Sequence, residues 1–173
     1  MNERQERQER ILQQLASQEA PLRGEDLARQ LGVTRQVVVH EIALLRAAGS
    51  PIVSTPRGYY LRPIRHEVAN KTVIAVRHQP EQTRDELYAL VDHGLVVENV
   101  LVEHPVYGEL SGGLHLRSRF DVDQFLEQVE SERAMLLSTL TQGYHLHTVR
   151  YPDAQALSAA VAALRNQAIE VFD

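Results

Sequence analysis

Ile11, Leu12 and Leu15 recur at helical spacing inside a polar run from about Arg4 to Gln18, which predicts a first helix broken by Glu19-Ala20-Pro21-Leu22. A second, short helix is expected over Glu25–Leu31, acidic at its start, apolar at Leu27, Ala28 and Leu31, and stopped by Gly32. Thr34 is placed as the N-cap of a third helix, whose buried stripe is Val38, Ile42 and Leu45 and whose end lies at Ala47-Ala48-Gly49. Helix, glycine turn and helix give the helix-turn-helix outline. Residues 52–61 then read as two short strands about a Pro56-Arg57-Gly58 tip, a wing.

From Val73 onward the period changes. Val73-Ile74-Ala75-Val76 is a buried-strand run that ends at His78, and Pro80 closes it. Thr83 opens a helix with Leu87, Leu90 and Val91 inward, stopped by Gly94. Strands are expected over Leu95–Glu103, Gly113–Arg117 and Tyr144–Arg150, and helices over Asp121–Glu132 and Asp153–Gln167. The fold class is therefore α+β, a winged helix-turn-helix followed by a split βαβ, or ferredoxin-like, domain. Small sandwiches of that kind commonly sense ligands, though only analogy says so.

Charge divides the chain at the same place. Residues 1–65 hold ten Arg against seven acids, whereas 66–173 hold seven Arg and one Lys against sixteen, so a net charge of -5 averages a basic module and an acidic one. The expected domains are 1–65 and 66–173, joined near Pro63-Ile64-Arg65-His66. No apolar run reaches the roughly 18 to 20 residues of a membrane span, and the charged N-terminus does not read as a signal peptide, so a cytoplasmic protein without membrane contact is expected. With no cysteine, a metal would have to be held by imidazole and carboxylate.

Basic charge on the first module directs attention to the exposed side of its third helix. Arg35, Gln36, Val39 and His40, following Thr34, occupy a face distinct from the core stripe, and these are side chains suited to base edges: Arg forks onto guanine, Gln onto adenine, and Val39 meets a thymine methyl. Arg57 at the wing tip is placed for phosphate or minor groove. The competing account is a three-helix bundle that binds another protein. Operator double-stranded DNA is the partner that charge, face chemistry and wing together favour.

In the second module, His145 and His147 are i and i+2 on one strand and project from the same face, side by side. His78, at the end of the first strand, offers a third nitrogen, and Glu86 in the following helix a carboxylate. Such a set suits Zn, Ni, Fe or Mn. Duller accounts stand beside it: Thr83-x-x-Glu86 fits a capping box, H-x-H alone is a weak signal, and His78 is simply where a strand ends. His93 is better placed as a cation at a helix C-terminus, His66 as linker and His115 as a surface strand residue.

Taken together, "TRQVVVHEIALLRAAG", "GYYL", "VRH", "TRDELYALVDHG", "VEHPVYGEL" and "LTQGYHLHTV" resemble the NiaR-type niacin-responsive transcription repressors, in which a winged helix-turn-helix precedes a 3H domain. The resemblance covers nearly the whole chain. It implies metal ligands at His78, Glu86, His145 and His147, nicotinic acid or nicotinamide as corepressor, and regulation of NAD biosynthesis and niacin uptake; a homodimer on two operator half-sites is expected because a single small winged helix rarely holds a specific operator. His104, Tyr107 and Arg119 are the family positions left for the effector. On functional groups alone, the pyridine nitrogen would reach the metal, Arg119 the carboxylate, and Tyr107 or His104 a hydrogen bond to it; the competing account makes His104–Gly108 a rigid turn. Two other classes stay open, a metal-dependent enzyme acting on a pyridine metabolite and a DNA-binding protein whose second half only dimerises. His40-Glu41 stands where Arg-Asp is common, which bears on base preference.

Overall fold

The helical stripes of the first module close on one another. A computed structural model describes residues 2–62 and 70–172, forming two compact units, one within 1–66 and one within 67–173. The expected linker at Pro63–His66, with the 65/66 boundary, lies outside the described residues. Helices α1 (Glu3–Ala16), α2 (Gly24–Leu31) and α3 (Arg35–Ala47) bury Ile11, Leu15, Leu27, Ala28, Val38, Ile42 and Leu45 in one cluster with Ile52. Asn2 and Gln5 make a capping box on α1, and the Thr34 hydroxyl accepts the Val37 N–H at the start of α3.

The wing is β1 (Ile52–Thr55) paired antiparallel with β2 (Gly58–Leu61), and it has an unexpected third member. Leu22 exchanges both backbone hydrogen bonds with Tyr59, at 2.8 and 2.7 Å. The neighbouring Gly58, at φ 126°, lies so close to this segment that a Cβ would stand 2.2 Å from the Leu22 carbonyl oxygen. Only glycine satisfies both conditions.

Glu41 corrects one sequence expectation. It does not face DNA; it is 2% exposed and points at α1, accepting from Arg7 Nη1 at 2.9 Å and Gln8 Nε2 at 2.8 Å. Burial would raise its carboxyl, but Gln8, Arg7 and Arg4 together lower it below the usual range. Of the His40-Glu41 pair, only His40 is left to bear on base preference. A Glu41→Ala change strands the α1 donors and is expected to cost about 1–3 kcal/mol of stability in thermal or denaturant unfolding; an unchanged Tm would mean that apolar contacts alone hold α1.

In the second module, β3 (Asn70–Arg77), β4 (Val96–His104), β5 (Gly108–Leu116), β6 (Tyr144–Tyr151) and β7 (Glu170–Phe172) form one antiparallel sheet in the order β5-β4-β6-β3-β7. Helices α4 (Thr83–Asp92), α5 (Arg119–Ser131) and α6 (Ala154–Asn166) pack on the face carrying Ile74, Val76, Val97, Leu114, Leu116 and Val149. The α+β class and both split βαβ units hold, but the interleaving is not ferredoxin-like. That arrangement centres its first and third strands, whereas the second and fourth, β4 and β6, are central here. As a result β6 lies hydrogen-bonded to β3, with Val76 opposite His145 and Ile74 opposite His147. Strand β7 and the first half of β5 were not expected from the sequence. No helix among the described residues is long and apolar enough to cross a membrane.

Candidate functional site

Two strands and one helix bring four side chains to a point. His78 follows β3, Glu86 sits in the first turn of α4, and His145 and His147 share the helix-covered face of β6. The Glu86 carboxylate is 1% exposed and receives all three imidazoles: His78 Nε2 is 2.5 Å from Oε2, His145 Nε2 3.1 Å from Oε1, and His147 Nε2 2.8 Å from Oε1. The capping-box account of Glu86 fails, because α4 has no side-chain cap and the Thr83 hydroxyl instead donates to the Pro80 carbonyl at 2.8 Å.

Each imidazole is held from behind by a backbone carbonyl. His78 Nδ1 meets Gln79 O at 2.7 Å, His145 Nδ1 meets Gly143 O at 2.8 Å, and His147 Nδ1 meets Asn99 O at 2.7 Å. A carbonyl only accepts, so every Nδ1 carries the proton and every neutral ring turns an Nε2 lone pair toward Glu86. Three lone pairs facing one carboxylate repel unless a cation stands among them. His147 Nε2 makes the point locally: it is buried near the carboxylate yet off any hydrogen-bond line. This donor set fits a divalent metal, with the backbone carbonyls orienting its imidazoles.

Two of these carbonyls depend on residues that sequence periodicity missed. The β4 register shifts against β6 between Val97 and Leu101, and this irregularity turns the Asn99 carbonyl to His147 while its side-chain Oδ1 accepts the Thr148 N–H at 2.9 Å. An Asn within a run of valines and leucines was the available signal. Gly143, at φ 91°, lies against His78 so closely that a Cβ would stand 2.3 Å from the His78 carbonyl oxygen.

Without metal, protons take its place. Burial pulls His78 and His147 down, yet the Glu86 charge beside both, its hydrogen bond with His78 and the carbonyls behind raise both above the ordinary value of 6.5. Burial would raise Glu86, but the charge of nearby His147 and hydrogen bonds from His145 and His78 hold it well below 4.5. The raised histidines contribute stability that is full below about pH 6.5 and lost as pH rises through their folded values. The depressed Glu86 contributes above about pH 4.5 and loses that contribution as pH falls through its folded value. Chelated protein is therefore expected to melt highest between these limits and lower toward pH 8, while added metal raises Tm more at pH 8 than at pH 6, since it competes with protons. A metal-induced shift independent of pH would contradict this site.

Beyond the four donors opens a cavity of about 230 Å³, walled by α4, β4, β5, α5 and the segment from Ala134 to Ser138. His104, Tyr107 and Arg119 do not line it. His104 Nδ1 accepts the Val106 and Tyr107 N–H groups at 3.1 and 3.2 Å, which makes the β4–β5 tip the rigid turn of the competing account, with Tyr107 74% exposed. Arg119 forks onto Asp92 at 2.8 and 2.6 Å and lies over the Tyr88 ring. The expected effector carboxylate on Arg119 is thus not what this geometry offers. His93 caps α4 through Nδ1 on the Ala89 carbonyl, and His115, at φ 52°, belongs to β5.

In the first module, Thr34, Arg35, Gln36, Val39 and His40 are all exposed on and before α3, away from the buried Val38, Ile42 and Leu45. Arg35 lies 3.9 Å from Glu25, an exposed and weak pair. Arg57 occupies the turn between β1 and β2, where its N–H donates to the Thr55 hydroxyl at 3.1 Å.

Comparison with known proteins adds to this geometry. A 3H domain matches residues 71–172 and an HTH domain residues 7–60. Over 170 residues the chain is 38% identical to the "Transcription repressor NadR" of Bacillus subtilis, covering 96% of this chain and 94% of that protein. It is 39% identical over 164 residues to the "Probable transcription repressor NiaR" of Thermotoga maritima, covering 95% and 93%.

Proposed function

The chain belongs to the family of transcription repressors that join a helix-turn-helix domain to a 3H domain, and we propose that it represses genes of NAD biosynthesis and niacin uptake when niacin is abundant. Nicotinic acid, or nicotinamide, acts as corepressor at the 3H domain, and the DNA-binding form is a homodimer on two half-sites. The observation that carries this reading is the convergence of His78, His145 and His147 on Glu86 at the closed end of a cavity sized for one small ring.

A divalent ion of the Ni, Zn, Fe or Mn class, held by those four side chains, supplies the positive charge and the open coordination that a small anionic effector needs. The protein supplies the rest: backbone carbonyls fix the imidazoles, apolar walls exclude water, and Thr34, Arg35, Gln36, Val39 and His40, with Arg57 on the wing, meet the DNA. Effector binding shifts the population toward the arrangement in which both wings and recognition helices fit their half-sites, by as much as its affinity for the two arrangements differs. An enzymatic reading has less support, because the ionisable groups lining the cavity among the described residues are the four donors themselves.

The test is operator binding by purified protein, with the bound metal determined in the same sample. Nicotinate is expected to tighten operator binding, and a chelator to remove that response. A verified metal-free protein that responds fully to nicotinate would overturn the metal's role, and turnover of nicotinate or nicotinamide would favour the enzyme.

A further inference from the structure

The cavity's polarity restricts what can enter it and which way round. Its sleeve is apolar, formed chiefly by Leu87, Val100, Leu114, Phe125, Val129 and Leu137. At about 230 Å³ it is smaller than the roughly 300–1,000 Å³ of drug-sized sites, so a single ring fits and a nucleotide does not. Among the described residues lining it there is no Lys or Arg, and Arg119 is committed to Asp92 elsewhere. A carboxylate lodged in the sleeve would be desolvated with no cationic side chain beside it, which is strongly unfavourable. Negative charge is tolerated at one end, where a divalent ion among three neutral imidazoles carries more charge than Glu86 cancels.

Two hydroxyl-bearing residues line the space, Thr83 and Ser138. Thr83 donates to Pro80 O. Ser138, 7% exposed, accepts from Gly143 N and Thr141 Oγ1 through its backbone carbonyl, and its own hydroxyl has no partner among the described residues. A hydroxyl in an apolar wall without a partner leaves a donor for a ligand.

The geometry points to a small flat aromatic monocarboxylate bound acid end toward His78, Glu86, His145 and His147, its ring in the apolar sleeve, with Ser138 as the specificity residue that donates to a ring nitrogen. This rests on the niacin-sensing reading and reverses the orientation in which the ring nitrogen reaches the metal. It also ranks the acid above the amide, because an uncharged carboxamide at the cationic end forgoes the charge-assisted interaction.

Calorimetric titration of the metal-loaded full-length protein with nicotinate, benzoate, nicotinamide and 3-methylpyridine tests it. A cobalt-loaded sample, followed by visible absorption, gives a second readout of the donor end. Nicotinate and benzoate are both expected to bind and to shift the cobalt bands, benzoate about three- to tenfold more weakly because it lacks the nitrogen. Ser138→Ala is expected to bring nicotinate down to the benzoate level and leave benzoate unchanged. Nicotinamide or 3-methylpyridine binding as tightly as nicotinate, with benzoate excluded, would overturn the orientation. Equal weakening of both acids by Ser138→Ala would overturn the role of its hydroxyl. Failure of nicotinate itself to bind metal-loaded protein would instead remove the niacin-sensing reading on which the inference stands.

Discussion

A Glu86→Gln variant is expected to fold, to bind operator DNA at its basal affinity, and to lose both the proposed metal binding and the proposed niacin response. Glutamine keeps the shape of the buried side chain, and its amide can donate to one of the three Nε2 atoms now facing the carboxylate, so the packing of α4 on the sheet survives. What it removes is the single negative charge among three neutral imidazoles. Loss of a supporting residue around a metal typically costs 10- to 100-fold in affinity, and loss of a direct anionic ligand should exceed about 100-fold. Metal content after gel filtration, set beside operator affinity with and without nicotinate, reads both effects. Stoichiometric metal in the variant would exclude Glu86 as a ligand, and a lost fold would show that its charge is structural.

The second large effect lies in the other module. Arg35→Ala with Gln36→Ala is expected to abolish operator binding and leave thermal stability essentially unchanged. Both side chains are exposed, the Arg35–Glu25 pair is too long and too solvated to matter, and the Thr34 cap that starts α3 remains. A base contact of this type is worth about 1–3 kcal/mol, so two contacts in each of two half-sites amount to a loss on the order of a thousandfold or more. Replacing Arg57 should weaken binding more evenly across DNA sequences and lessen its salt dependence. Undiminished specific binding by the double variant in a gel-shift assay would place base recognition elsewhere.

What the sequence made legible follows the range of the interactions involved. The stripes of α1 to α3, the Thr34 cap and the strand face shared by His145 and His147 are local patterns, each written within a few residues. The β5 start was hidden because Gly108 and the Ser111-Gly112 step carry no strand pattern, and the three-residue β7 is ordered by pairing with β3. Glu41 looked like a recognition-helix residue because its partners Arg7 and Gln8 lie more than thirty positions away. The pairing of Arg119 with Asp92 likewise has no periodic cue. Periodicity offered His145 and His147, and the expected strand and helix ends offered His78 and Glu86 as possible partners; the family resemblance made the four one expected set, and finding the carbonyls of Gln79, Gly143 and Asn99 needed the strand order.

The central place of β6 has a consequence for the order of synthesis. Of the four long strands in the second module it emerges last from the ribosome, yet it is the one that separates β3 from β4 and carries two of the four donors. Until it arrives, the donor cluster cannot be complete, whereas the apolar cluster of the first module lies within residues 11–61. A chain that stops short of residue 144 would retain the exposed side chains of α3 but lack His145 and His147, leaving His78 and Glu86 without two of their partners. A premature stop there would separate the DNA-binding module from the sensor proposed for it.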